Sequence, residues 1–203
     1  MHPYSTNSPA PPKHIAYMML AAVALSAGVG WIAEYANARL GWALGSVSAM
    51  TLFTGLYIIF DRVVWKYRWI RRVLLVPDIN GTWICEGLTL YKGGRSNENA
   101  WSGKIIIRQS WSSITIRLKT GQSTSESIAA SLYCEPGNGY RLIYHYDNRP
   151  GIGETKLDRH CGLASLLFNE DVNSAEGEYF TDKDRMTSGT MRLTREGASS
   201  GKA

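Results

Sequence analysis

Two long apolar runs, followed by short alternating segments, divide the chain into a predicted membrane part and a predicted β-rich part. Residues 15–33 and 40–60 are each near the length of about 20 residues that an α-helix needs to cross roughly 30 Å of hydrocarbon. Only residues 34–39 separate them, so the pattern predicts a two-helix transmembrane hairpin. Beyond residue 60 apolar positions recur every second residue, which is typical of half-buried strands.

From residue 81 onward the alternation predicts eight strands. Turns rich in Gly, Pro and Asn separate most of them. Short connections and an even strand number favour an eight-stranded antiparallel up-and-down β-barrel of the lipocalin-like kind, with a β-sandwich as the alternative. The predicted strands are 82–91, 101–109, 112–120, 124–134, 139–147, 160–169, 175–182 and 188–195.

These patterns predict five regions in the chain of 203 residues. The ends are expected to be unstructured because the first residues are rich in Pro, Ser and Asn and the last in Gly and Ser. The regions are a disordered N-terminal tail 1–12, two transmembrane helices within 13–60, a basic juxtamembrane linker 61–76, a ligand-binding barrel 77–196 and a flexible tail 197–203.

The uneven distribution of charge predicts the orientation in the membrane. The net charge is +5, yet the 15 basic and 15 acidic residues from position 77 onward balance, so the excess lies before the barrel. A basic cluster follows the second apolar run directly. By the positive-inside rule it places the barrel and the N-terminus in the cytoplasm, and it would contact anionic lipid headgroups. The neutral barrel argues against DNA or RNA as a partner. The cluster is Arg62, Lys66, Arg68, Arg71 and Arg72.

Small residues recur every four positions in both apolar runs. Ala24 and Gly28 form one such pair, and Gly41 and Gly45 form a G-x-x-x-G pair. Small residues let helix backbones approach closely in lipid. Two interpretations stay open. These positions associate helices of different protomers, or they pack the two helices of one hairpin or recur by chance, since Gly and Ala are common in membrane helices.

Residues that carry catalysis or bind metals form no recognisable pattern. His160-Cys161 lacks the spacing of a zinc site, and no Ser or Cys near the two barrel histidines completes a triad. The three cysteines, Cys85, Cys134 and Cys161, are an odd number and are expected to be free thiols. We therefore expect no enzyme activity, no metal and no cofactor.

Aromatic and polar residues instead converge on the membrane-distal end of the predicted barrel. Aromatic rings stack on nucleobases, cations meet phosphates, and hydroxyls and amides bond to base edges. The alternative is that the tyrosines are barrel core and the cations are solvated loop charges. The predicted ligand-binding residues are Trp101, Tyr144, Tyr146, Asn148, His160, Tyr179, Thr181, Lys183 and Arg185.

Four stretches carry a family resemblance: 77–83 (PDINGTW), 107–112 (IRQSWS), 142–148 (LIYHYDN) and 177–182 (GEYFTD). With the order of short N-terminus, two helices and barrel, the chain resembles the two-transmembrane, β-strand-rich effectors of bacterial CBASS anti-phage defence. The resemblance implies a barrel that binds a cyclic dinucleotide made by a partner nucleotidyltransferase. Binding would promote a homo-oligomer whose helices disrupt the bacterial inner membrane, so that the infected cell dies by abortive infection.

Two other functions stay compatible with the residues. One is a membrane-tethered, lipocalin-like carrier of an apolar small molecule, whose pocket would be lined with Leu, Ile and Phe. The other is a structural adaptor without a ligand, whose barrel would be filled. The interior of the barrel therefore discriminates between the three hypotheses.

Overall fold

A computed structural model describes residues 1–6, 11–40, 49–91, 99–155, 157–182 and 186–197. The chain forms two compact units. Residues 8–74 make a helical unit, and residues 1–7 together with 75–203 make a β-sheet unit.

Helix α1, Pro11–Leu40, extends beyond the first predicted span at both ends. The predicted loop 34–39 is helical because it contains no Gly or Pro and its Ala, Glu and Arg favour helix. Neighbouring turns also interact through side chains. The rings of Trp31 and Tyr35 stack with centroids 6.3 Å apart, and the Arg39 guanidinium carbon lies 5.9 Å from the Tyr35 ring centroid.

Among the described residues, one helical segment, Met19–Arg39, is long and apolar enough to cross a membrane. The prediction of two such helices is therefore confirmed only for the first. Helix α2, Ala49–Arg62, contacts α1 but has 14 residues, too few to span alone. The first part of the second predicted span, including Gly41 and Gly45, lies outside the described residues.

The basic linker consists of two short helical pieces. A 3₁₀ turn, Val64–Lys66, follows α2, and Tyr67 is extended with φ −63° and ψ 133°. Helix α3, Arg68–Leu74, completes the segment. Four of the five predicted headgroup-contact residues are exposed, namely Arg62, Lys66, Arg68 and Arg72, and Arg71 is half-buried.

The second unit is a single sheet of nine strands that closes on itself, and we call it the barrel. Strands β2 to β9 each pair antiparallel with their neighbours in chain order, as the predicted meander requires. Their bounds agree with the predicted strands to within a few residues. They are β2 Gly81–Tyr91, β3 Asn99–Gln109, β4 Ser113–Thr120, β5 Ser123–Glu135, β6 Gly139–Pro150, β7 His160–Phe168, β8 Ser174–Thr181 and β9 Thr187–Arg195.

The prediction of eight strands and a disordered tail 1–12 was wrong because the N-terminus forms a strand, β1, His2–Thr6. Strand β4 pairs directly with β5 only over Arg117–Lys119. Strand β1 lies where these two strands separate, antiparallel to β4 and parallel to β5. It thereby gives hydrogen-bond partners to backbone groups that would otherwise be unpaired.

Side chains also fix β1 in the sheet. His2 Nε2 lies 2.7 Å from Ser127 Oγ, and the hydroxyls of Ser5 and Ser131 are 2.6 Å apart. These partners are more than a hundred residues away in the chain, so composition near the N-terminus could not reveal them.

One end of the barrel is filled by a packed core. The Trp83 ring is fully buried, stands edge-on to Phe168 with centroids 5.0 Å apart, and donates from Nε1 to the Ile79 carbonyl at 3.2 Å. The Arg195 guanidinium carbon lies 5.3 Å from the Trp83 ring centroid. Buried Gln109 accepts from the Ile79 amide at 3.0 Å. We call this the closed end.

The three cysteines are free thiols, as predicted. Burial, with a smaller contribution from Glu86, raises the pKa of the Cys85 thiol to about 12. A thiol with this pKa stays protonated at neutral pH and is a poor nucleophile. Cys85 is therefore part of the core.

Candidate ligand-binding site

A cavity of about 390 Å³ lies inside the barrel, towards the end opposite Trp83. Cavities of a few hundred Å³ are typical of small-molecule sites. Gly121 and Gln122, in the turn between β4 and β5, line its edge and are exposed, so the cavity opens to solvent there. We call this the open end.

Seven of the nine predicted ligand-binding residues line this cavity. Strands β3, β6, β7 and β8 bring them together because alternate residues of each strand point inward. The seven are Trp101, Tyr144, Tyr146, Asn148, His160, Tyr179 and Thr181, whereas Lys183 and Arg185 lie outside the described residues. Contact of any of them with a ligand stays a prediction.

Strand β6 contributes a buried row of two phenols and an amide. Tyr144, Tyr146 and Asn148 are 3%, 8% and 6% exposed. The two tyrosine ring centroids are 6.1 Å apart with a tilt of 53°. Burial raises the pKa of Tyr144, so its phenol is neutral at physiological pH and keeps a proton to donate.

The Asn148 side chain is polar, buried and incompletely bonded. Its Nδ2 has no hydrogen-bond partner among the described residues. An unsatisfied buried donor costs about 1–3 kcal/mol, so native structures keep few of them. A donor of this kind in a cavity wall is suited to an acceptor on a ligand.

Trp101 and Tyr179 form a second wall. Trp101 Nε1 donates to the Tyr179 hydroxyl at 3.2 Å, and Thr89 Oγ1 lies 2.6 Å from the same hydroxyl. The two rings meet edge-on with centroids 5.9 Å apart. This network spans β2, β3 and β8 and fixes the orientation of both aromatic side chains.

Two predicted residues already bond to the barrel itself. Thr181 Oγ1 accepts from the Thr187 amide at 2.9 Å and donates to the Thr187 carbonyl at 3.2 Å. His160 Nδ1 donates to the Asp158 carbonyl at 2.9 Å. These bonds tie chain segments at the open end together, so both residues have a structural role whether or not they meet a ligand.

An ion-pair cluster fixes the approach to β7. Asp147 receives bonds from Arg159 Nε at 2.9 Å, Arg159 Nη2 at 3.0 Å and Arg149 Nε at 3.0 Å. The hydrogen bonds from Arg159 have the largest effect. Together with the bond from Arg149 they outweigh burial and lower the pKa of the Asp147 carboxyl. The carboxylate stays ionised at neutral pH and holds the segment that carries Leu157 and His160 against β6.

Sequence reasoning missed the small polar residues of the cavity wall. Thr89, Ser125 and Thr187 are buried there, from β2, β5 and β9. Their residue types suit an exposed strand face equally well. Only the alternation with buried neighbours such as Cys85 signals that Thr89 points inward.

The wall chemistry favours a ligand with many hydrogen-bonding groups. Hydroxyls, amides, phenols and an indole dominate the described lining, and its aliphatic side chains are few: Ala100, Leu118, Leu157 and Met191. The described part of the lining contains no Lys or Arg. Any Lys or Arg that meets a ligand would therefore come from outside this described lining, and Lys183 and Arg185 are candidates by sequence.

Comparison with known proteins gives concordant matches. The profile of a family described as "Cap15, cyclic dinucleotide receptor domain" matches residues 74–195, which include β2 to β9 and the cavity. A protein of Yersinia aleksiciae called "CD-NTase-associated protein 15" is 39% identical over 167 residues, covering 81% of this chain and 78% of that relative. A protein of the same name from Staphylococcus schleiferi is 27% identical over 157 residues, covering 77% and 82%.

Proposed function

The chain belongs to the family of Cap15 cyclic dinucleotide receptors, which are CBASS effectors, and from this premise we propose that the barrel cavity is the cyclic dinucleotide site. A cyclic dinucleotide presents two nucleobases, ribose hydroxyls and two phosphates. The aromatic walls offer faces for the bases, and the hydroxyls and amides offer partners for the polar edges.

The observation that carries this assignment is the buried side chain of Asn148 in the cavity wall, whose Nδ2 has no hydrogen-bond partner among the described residues. An apolar ligand would leave this donor unpaired, whereas the large majority of buried polar side-chain atoms in native structures have a partner. Nδ2 itself is fully buried, so a rotation of the Asn148 side chain would turn it towards a nucleobase carbonyl, ring nitrogen or phosphate oxygen in the cavity.

The two competing hypotheses fit the interior less well. An apolar carrier requires a wall of Leu, Ile and Phe, whereas the described lining is dominated by polar and aromatic side chains. An adaptor without a ligand requires a filled barrel, whereas a cavity of about 390 Å³ is open at one end.

Strand β1 supports a two-span hairpin. A strand hydrogen-bonded into the barrel lies on the same side of a membrane as the barrel itself. A chain that leaves β1 and returns to β2 must cross the membrane an even number of times. If the candidate span Met19–Arg39 crosses the membrane, a second crossing is required before β2, and we place it in the apolar run 40–60.

We propose that ligand binding promotes barrel–barrel association and thereby concentrates the hairpins in the inner membrane, without any catalytic step. Linking modules raises their effective concentration. Ala24 and Gly28 are exposed on α1, which favours contact between protomers over packing within one hairpin for this pair. The ligand would come from a partner nucleotidyltransferase, and the clustered helices would disrupt the membrane and kill the infected cell.

The proposal predicts ligand-dependent membrane damage. Bacteria that produce the full-length protein should admit a membrane-impermeant DNA dye when a cyclic dinucleotide synthase is co-expressed. They should exclude the dye when the synthase is inactive. Synthases for purine–purine, purine–pyrimidine and pyrimidine–pyrimidine ligands would form the panel. Dye entry equal to the inactive-synthase control with every panel member would contradict the effector mechanism.

A further inference from the structure

Three aromatic side chains of the cavity each stand opposite a glycine on the neighbouring strand. Trp101 pairs with Gly87, Tyr146 with Gly162 and Tyr179 with Gly189. In each pair the ring lies over the glycine, where a Cβ atom would come within 2.2–2.6 Å of a ring or hydroxyl atom. Each ring is therefore folded back against the barrel wall.

At Gly87, the atoms nearest to an added Cβ all belong to the Trp101 ring. A Cβ built on Gly87 would lie 2.2 Å from Cε2, 2.2 Å from Cζ2 and 2.8 Å from Cδ2 of Trp101, and these are its three nearest atoms. At Gly162 and Gly189 a backbone carbonyl oxygen also comes within 2.5 Å and 2.2 Å. Substitution at those two glycines would disturb the sheet, whereas at Gly87 it would displace the indole.

The position of the indole bears directly on the cavity. Trp101 lines it, and the bond from Trp101 Nε1 to the Tyr179 hydroxyl depends on the ring lying where it does. Non-bonded carbon atoms prefer separations of about 3.5–4.0 Å. A methyl group on Gly87 would push the ring more than about 1 Å inward.

From the contact between Gly87 and the Trp101 ring, we infer that Gly87 is a positioning residue for the ligand: it seats the indole against the wall and so keeps room for a nucleobase. The inference rests on the proposed function, since it assigns a role within the same cavity. Gly87 itself touches no ligand. Its effect is transmitted only through Trp101.

A double-mutant cycle tests this coupling in the full-length protein in detergent. The variants are Gly87→Ala, Trp101→Leu and the double variant, titrated by calorimetry with a panel of cyclic di-purine, purine–pyrimidine and di-pyrimidine ligands. Gly87→Ala should weaken binding of the tightest wild-type ligand at least about tenfold, because the displaced indole occupies space that the nucleobase needs. In the Trp101→Leu background the same change should alter Kd by less than about twofold.

The measurements distinguish failure of the role of Gly87 from failure of the proposed function. Equal losses of ligand affinity from Gly87→Ala in both backgrounds, or no loss of affinity in the wild-type background, would overturn the role of Gly87. Wild-type protein that binds none of the panel would refute the proposed function instead. If Gly87→Ala is too unstable to titrate, the double variant should recover the melting temperature of Trp101→Leu, and failure to recover it would also overturn the inference.

Discussion

Asn148→Leu should weaken cyclic dinucleotide binding by about tenfold or more while the ligand-free barrel stays as stable as wild type or becomes more stable. Leu has the same number of side-chain heavy atoms and the same branching as Asn, so the wall keeps its shape. The ligand loses a hydrogen bond and buries an unpaired acceptor, which costs about 1–3 kcal/mol. The free protein loses a buried donor that already lacks a partner among the described residues.

The measurement pairs calorimetric titration with thermal unfolding of the full-length protein. Asn138→Leu is the matched control, since Asn138 is exposed in the turn after β5, at the closed end, and bonds to Glu135. It should leave Kd unchanged. Binding by Asn148→Leu with wild-type affinity, or unfolding as severe as that of a core variant, would show that Asn148 is structural.

Trp83→Ala should have the largest effect on stability, lowering the free energy of unfolding by about 3–5 kcal/mol. The ring is fully buried against Phe168, and its Nε1 bonds to the Ile79 carbonyl. Because whole domains are stable by only about 5–15 kcal/mol, this loss removes a large share of the stability of the barrel. Ligand binding would fall only because folded protein is lost.

Urea unfolding followed by circular dichroism measures this effect, with Trp83→Phe as the control. Phe keeps most of the buried ring but loses the bond to Ile79, so it should cost far less than Ala. A loss below about 1 kcal/mol for Trp83→Ala would contradict the closed-end core. Together with Asn148→Leu, this result would separate the stability of one end of the barrel from the recognition at the other.

Local sequence patterns predicted the strands of the meander and part of the cavity wall. Alternation such as Ile105 and Ile107 placed the strands of the meander, and the alternate residues Tyr144, Tyr146 and Asn148 proved to share one inward face. The resembling stretch 77–83 belongs largely to the closed end, with Ile79 and Trp83 in its core, so it reports the fold more than the site.

What the sequence could not predict depends on distant partners. Strand β1 exists because β4 and β5 separate beyond Arg117–Lys119, and nothing in residues 2–6 signals that gap. The register that sets Gly87 opposite Trp101 emerges only when β2 and β3 are paired. Helix α1 continues through residues 34–39, where the sequence pattern predicts a loop, because these residues favour helix.

We propose that the cyclic dinucleotide binds inside the open end of the barrel. Photoaffinity labelling with an azido-nucleobase analogue of the best-binding ligand, followed by peptide mass spectrometry of the full-length protein, tests it most directly. Labels should concentrate on cavity-lining residues of β3, β6 and β8, including Trp101, Tyr146 and Tyr179, and excess unlabelled ligand should remove them. Competable labels confined to the closed end, to outward-facing strand residues or to residues 11–74 would contradict it.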